Sequence, residues 1–173
     1  MTKKILAAVG VLLLILALIP VFLPSHFTLS RSIQIKAPVG VVFSKLTDLN
    51  EYVKWNPFPE GDPSNKNKVT GNGLNSFLTW QGDKTGEGKM LISGIEPDSR
   101  ISVKMDFYKP MAAEAMVYWA TKSNQDSTTE LTWSYEQDLT YFNRYWGLFM
   151  DAMMGQHFEK GLVNFKGMIE SIK

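Results

Sequence analysis

The sequence predicts an α+β fold, an antiparallel sheet with one long helix laid on a face of it, behind an apolar N-terminal helix. Three observations predict it. The opening, "MTKKILAAVGVLLLILALIPVFLPSHF", has Lys3 and Lys4 and then no charge before Arg31. Between Lys66 and Leu139, turn signals interrupt short runs rich in β-forming residues. At the C-terminus, Phe158, Leu162, Phe165, Ile169 and Ile172 fall at i, i+4, i+7, i+11 and i+14, one continuous apolar stripe on a helix.

In the leader, Ile5 to Leu23 forms an apolar run of nineteen residues. As a helix it spans roughly 28 Å, about the hydrocarbon thickness of a bilayer. A core helix would carry a polar stripe, and this run carries none. A cleaved signal peptide is the competing reading, but the run is long for one. No small-x-small site follows it either, since the chain continues Pro20, Val21, Phe22, Leu23, Pro24. Residues 1–27 are therefore expected to be an uncleaved transmembrane anchor and 28–173 one folded domain. Positive charge before the span and none just after it predicts a cytoplasmic N-terminus in a single-pass protein of the cell membrane. The domain then lies on the outer side, periplasmic or extracellular. Pro20 and Pro24 should end the helix near that interface.

From Thr28, alternation through Leu29, Arg31, Ile33 and Ile35 predicts a half-buried strand. "APVG" breaks it, and Val39, Val42, Phe43 and Leu46 then follow helical spacing. Asp48 or Asn50 can cap a second short helix, Glu51 to Trp55, which Pro57 stops. The meander comes next, about six strands, with turns at "GNG" (Gly71), "QGDKTG" (Gly82), "EPDSR" (Pro97), "YKP" (Pro110) and "SNQDS" (Ser123). Ile101, Val103, Met105 and Phe107 share one face of a strand, as do Leu131, Trp133 and Tyr135 of a later one. Asp62 to Lys68 reads as a short polar loop.

Composition excludes several classes. A net charge of +1 supplies no field to draw nucleic acid. The absence of cysteine removes disulfides and thiol nucleophiles. His26 and His157 lie far apart, and neither has a partner at metal-ligand spacing, so neither a metal nor another cofactor is expected. No Gly-x-Ser-x-Gly is present, and "GEG" at Gly86 reads as a hairpin turn rather than a phosphate loop.

"RSIQIKAPVGVVFSKLTDLNEYVKWNPF" resembles the opening of the START-like superfamily, the SRPBCC group that includes polyketide cyclase-like proteins and the birch-pollen allergen fold. The resemblance rests on Ala37-Pro38, Val42-Phe43, Asp48 and Trp55-Asn56-Pro57. Later, "GEGKMLISGIEPDSRISVKMDF", "TTELTWSY" and "HFEKGLVNFKGMIES" resemble the family's middle strands and closing helix. It covers Thr28 to Lys173. It implies a helix-grip fold, a curved antiparallel sheet wrapped round a long C-terminal helix with a largely apolar cavity between. Ligand binding is implied more readily than catalysis.

Candidate chemistry is sparse. Glu136 and Asp138 share a strand face opposite to Leu131, Trp133 and Tyr135, which puts them in solvent. Glu114, inside the apolar run "MAAEAMVYWA", would be a general acid with a raised pKa if buried, and an ordinary outward residue if not. His157 is the other catalytic candidate. Aromatics and methionines are better represented, with five Trp and nine Met. The expected ligand-binding residues are Trp80, Phe107, Trp119, Trp133 and Tyr135 on the sheet, with Met150, Met153, Met154 and His157 on the helix. His157, three residues after Met154 and four after Met153, should share their side. Methionine adapts to more than one apolar shape. Gly147, Gly155, Gly161 and Gly167 each cost about 1 kcal/mol against alanine inside a helix, so the helix must either bend or approach the sheet closely. The expectation is a binding protein for an apolar, lipid-like small molecule held in a cavity. The alternatives are a cyclase- or hydrolase-type enzyme in the same cavity, and an interaction module with a filled core.

Overall fold

The computed structural model describes residues 2–171. Helix α1, Thr2–Leu18, continues into a single 3₁₀ turn, Ile19–Val21, in which Pro20 lies. Its side chains are exposed all round, and the segment is long and apolar enough to cross a membrane, as a signal sequence also is. Strand β1, His26–Ile35, begins two residues before the expected boundary at Thr28. The reason is pairing: His26 and Phe27 are in register with Asp138 and Gln137.

Helices α2, Val39–Leu46, and α3, Leu49–Trp55, follow. The Asp48 carboxylate accepts from the Asn50 N–H at 2.8 Å, so Asp48 is the cap of α3. The meander is β2 (Lys66–Thr70), β3 (Phe77–Gly82), β4 (Gly86–Glu96), β5 (Arg100–Lys109), β6 (Ala113–Ser123) and β7 (Thr129–Asp138). Helix α4, Arg144–Glu170, closes the described chain. The expected stripe is buried at Phe158, Leu162, Phe165 and Ile169, while Ile172 lies outside the described residues.

All strand pairs are antiparallel, in the order β1-β7-β6-β5-β4-β3-β2. Each hairpin places the next strand beside the last, and β1 returns to pair with β7. Register shifts in β4 at Glu87/Gly88 and Ile92/Gly94 bend the sheet locally. The sheet curls over α4, and α2 and α3 cover its other opening, giving the helix-grip arrangement. The glycines of α4 show how close the approach is. A Cβ on Gly161 would lie 2.6 Å from the Trp133 ring and 3.1 Å from Pro57, and one on Gly155 would lie 2.6 Å from Arg31 Nη2. Close packing, rather than bending, explains those two. Gly167 has open space around it and no such reason.

Arg31 fastens α4 to β1. Its Nε donates to Glu159 at 2.9 Å and its Nη2 to Asp151 at 2.6 Å. The hydrogen bond to Glu159, and then that to Asp151, raise the guanidinium pKa further above its already high value.

Candidate functional site

Between the concave face and α4 lies a cavity of about 400 Å³. Along β5 the shared face changes character as it runs towards it. Ile101 and Val103 are fully buried in the core, whereas Met105 and Phe107 are only half-buried and line the cavity. Leu78, Met90 and Val117 supply its aliphatic wall.

The floor is aromatic. Trp133 stacks on Phe158 with centroids 4.2 Å apart, and Tyr52 of α3 packs against Trp119 at 5.3 Å. Trp55 meets Trp119 and Trp133 edge to face behind them. The indole N–H groups of Trp55, Trp119 and Trp133 are buried without an acceptor among the described residues. Buried as they are, these N–H groups give the cavity no donor, and Trp119 and Trp133 contribute ring surface to it.

Two tyrosine hydroxyls stand among the aromatic lining, and Asn56, Glu60, Asp62, Asn65, Asn67, Lys84, Thr85 and His157 add further polar groups. Burial alone drives the Tyr52 hydroxyl pKa upward, which keeps it a neutral donor. The Tyr135 hydroxyl, raised by the same cause, donates to Gln137 Oε1 at 2.7 Å and is already engaged. At the rim, His157 stacks on Phe58 with centroids 5.0 Å apart and planes 26° from parallel.

Asp62 holds the mouth in shape. Its Oδ1 accepts from the Ser64 N–H and hydroxyl at 3.2 and 2.6 Å. Its Oδ2 accepts from the Lys84 N–H, the Thr85 N–H and the Thr85 hydroxyl at 2.9, 2.8 and 2.9 Å. These five bonds hold the carboxyl well below the usual carboxylate range, the Ser64 hydroxyl contributing most. They tie the loop after α3 to the β3–β4 hairpin. Trp80 is set by the same hairpin, its indole donating to the Thr85 carbonyl at 3.2 Å while its ring meets Phe107 edge-on at 5.6 Å.

Of the residues expected from sequence, Trp80, Phe107, Trp119, Trp133, Tyr135, Met154 and His157 line the cavity. Met150 packs against the core but does not line it. Met153 is a correction: it is 60% exposed, because α4 turns it past the sheet into the open. Glu114 takes the outward of its two alternatives. It alternates outward on β6 and pairs with Lys104 at 3.2 Å on the surface, so it has neither the burial nor the position of a cavity acid. Sequence reasoning missed Tyr52, Phe58 and Asp62. The pairing Asp62-Pro63-Ser64 signals a turn, but nothing local signals that its carboxylate is buried against a hairpin twenty residues on. Among the described residues, no group of three His, Asp or Glu could hold a metal ion.

Sheet, helix and apolar cavity together define a ligand-binding or cyclase type of fold. The family described as "Polyketide cyclase / dehydrase and lipid transport" matches residues 26–170, and the chain belongs to that family, within the SRPBCC superfamily. Solved structures agree on the fold. Norcoclaurine synthase from Thalictrum flavum, in complex with dopamine and hydroxybenzaldehyde, superposes with a TM-score of 0.64 at 10% identity, covering 86% of this chain and 88% of that one. The Zhui aromatase/cyclase from Streptomyces sp. R1128 gives 0.57 at 14%, covering 84% and 94%. A Mesorhizobium loti protein gives 0.61 at 15%, covering 84% and 98%. At these identities the likeness concerns the fold alone. Among curated proteins, none matches the chain.

Proposed function

We propose that this chain is a membrane-anchored binding protein for an apolar or amphipathic small molecule, lipid-like in character, held between the sheet and α4. One observation carries the reading: a cavity of about 400 Å³ whose wall is largely Trp, Phe, Met and Leu, and which also takes in polar side chains, among them Asn56, Glu60, Asn67 and Lys84. That is the composition of a small-molecule site, in which apolar area supplies affinity and a few polar atoms fix orientation. Tyr52 is the polar group that would orient the ligand, as a neutral donor to an oxygen acceptor such as a carboxylate, ester or hydroxyl.

Catalysis has less support. Of the two candidates, Glu114 is on the outer surface in a pair with Lys104, and His157 stacks on Phe58 at the rim. A hydrolase or cyclase would need a titratable pair turned inward together.

In this reading α1 remains attached as a single span, with Lys3 and Lys4 in the cytoplasm and the domain on the outer side. Full-length protein should then resist carbonate extraction, and protease added outside spheroplasts should digest the domain. Release by carbonate would contradict the anchor, and full protection would contradict the sidedness.

Binding is tested by thermal denaturation of the full-length protein against a panel of fatty acids and lysolipids. A ligand at a hundredfold its Kd stabilises by about 2.7 kcal/mol, a shift of several degrees. No shift across the panel would favour an interaction module instead.

A further inference from the structure

Helix α4 carries a second apolar surface on the side away from the core. Phe142, in the turn before the helix, is 68% exposed, and Trp146, Phe149 and Met153 are 54%, 58% and 60% exposed. At about 100° per residue, Trp146, Phe149 and Met153 fall within about 60° of one another on the helix. This is a stripe of large apolar side chains, two of them aromatic; Leu148, 57% exposed on another face of the same turns, adds to the apolar surface of this end of α4. One turn beyond Met153 comes His157, at the cavity rim.

The stripe adjoins the end of α1. The last turn of a helix leaves carbonyls without partners, and in lipid no water can satisfy them. Here Tyr141 donates its hydroxyl to the Ala17 carbonyl at 2.7 Å and Tyr145 donates to the Leu16 carbonyl; beyond the helix, Arg144 Nη1 donates at 2.9 Å to the Pro20 carbonyl, which also accepts from the Leu23 N–H. Ala17 precedes Leu23, the end of the apolar run, by six residues. If that run is embedded to its end, side chains that reach Ala17 must themselves enter the outer edge of the bilayer.

We propose that the face formed by Phe142, Trp146, Phe149 and Met153 lies in the interface of the bilayer that α1 crosses, so that the His157 rim of the cavity is held beside the membrane. This rests on the reading of α1 as a span. Aromatic side chains concentrate at this level of a membrane, where an apolar body and a polar edge are both accommodated. The contact is apolar rather than electrostatic. Arg144 keeps its charge while Nη1 donates to the Pro20 carbonyl, and Asp151 is paired with Arg31, so it is the apolar area of the stripe that carries the contact. An apolar ligand could then pass between bilayer and cavity along the stripe without crossing open water.

The chain has no cysteine, so single-cysteine variants give unique labels. Phe149→Cys, Val11→Cys in the span, and Gln125→Cys in the loop before β7 are spin-labelled in full-length protein in phosphatidylcholine nanodiscs. Gln125 lies a strand length, about 33 Å, from the membrane end of β7. Collision with oxygen reports lipid, and collision with a water-soluble nickel chelate reports water. The label at 149 should be at least threefold more accessible to oxygen than to the chelate, the label at 125 the reverse, with no change between low and high salt. A label at 149 as open to the chelate as that at 125, with Val11 in lipid, overturns the docking and leaves the anchor standing. Val11 in water overturns both. Dipolar broadening at 149 would mean that a second copy covers the stripe, and also overturns the proposal.

Discussion

Trp133 of β7 and Phe158 of α4 stack with ring centroids 4.2 Å apart and planes 27° from parallel, and this contact closes the cavity floor. It depends on Gly161 three residues further along α4. A Cβ there would meet the Trp133 ring at 2.6 Å and Pro57 at 3.1 Å. In Gly161→Ala, overpacking of about 1–3 kcal/mol opposes a helix-propensity gain of about 1 kcal/mol. Urea denaturation should show a lower midpoint. A midpoint unchanged or raised would mean that the ring yields freely and the floor is not tightly set.

The Asp62 clamp predicts a specific acid sensitivity. Its carboxyl is held below the ordinary value of about 3.9, so the ionised form is favoured by folding. The contribution is complete above that value and is lost as pH falls below about 4 towards the folded pKa. Asp62→Asn should be less stable than wild type at pH 7, and its stability should fall less between pH 5 and 3. Parallel stability profiles for the two proteins would show that the five bonds carry no linkage.

Tyr52→Phe tests the orienting donor. Removing a neutral hydroxyl should leave stability within about 1 kcal/mol, since the ring keeps its contacts with Trp55, Trp119 and Trp133. Affinity for acceptor-bearing ligands should drop about tenfold, with fully apolar ligands unaffected. Equal losses for both classes would mean that the hydroxyl does not meet the ligand.

His157→Leu separates binder from enzyme at the rim. The change should leave the apo domain as stable or slightly more so, and shift ligand choice towards fully apolar molecules. Loss of a turnover while binding survives would instead mark a general base. Unfolding would mark a structural post.

The element order, the Asp48 cap and the stripe of α4 were legible because each is a local pattern: periodicity, a cap, a run of turn residues. The family resemblance added the cavity, which no spacing states. What stayed hidden depends on rotation and on distant partners. Met153 and Met154 are neighbours in sequence, yet 100° separates them on a helix, enough for one to line the cavity and the other to face outward. Glu114 sits in an apolar run because β6 alternates there with small residues, not because it is buried. Tyr52 is on the short helix that closes the sheet, and only the tertiary fold brings it beside Trp119.

The central claim, that the cavity holds an apolar ligand, is tested most directly by native mass spectrometry of full-length protein released from nanodiscs. It is run beside Met154→Trp, in which a larger ring at a lining position fills the space. Wild type should carry a discrete adduct of lipid-like mass in part of its population, and Met154→Trp, folded by circular dichroism, should lose it. An unliganded mass for wild type, or the same adduct on both proteins, would contradict the account.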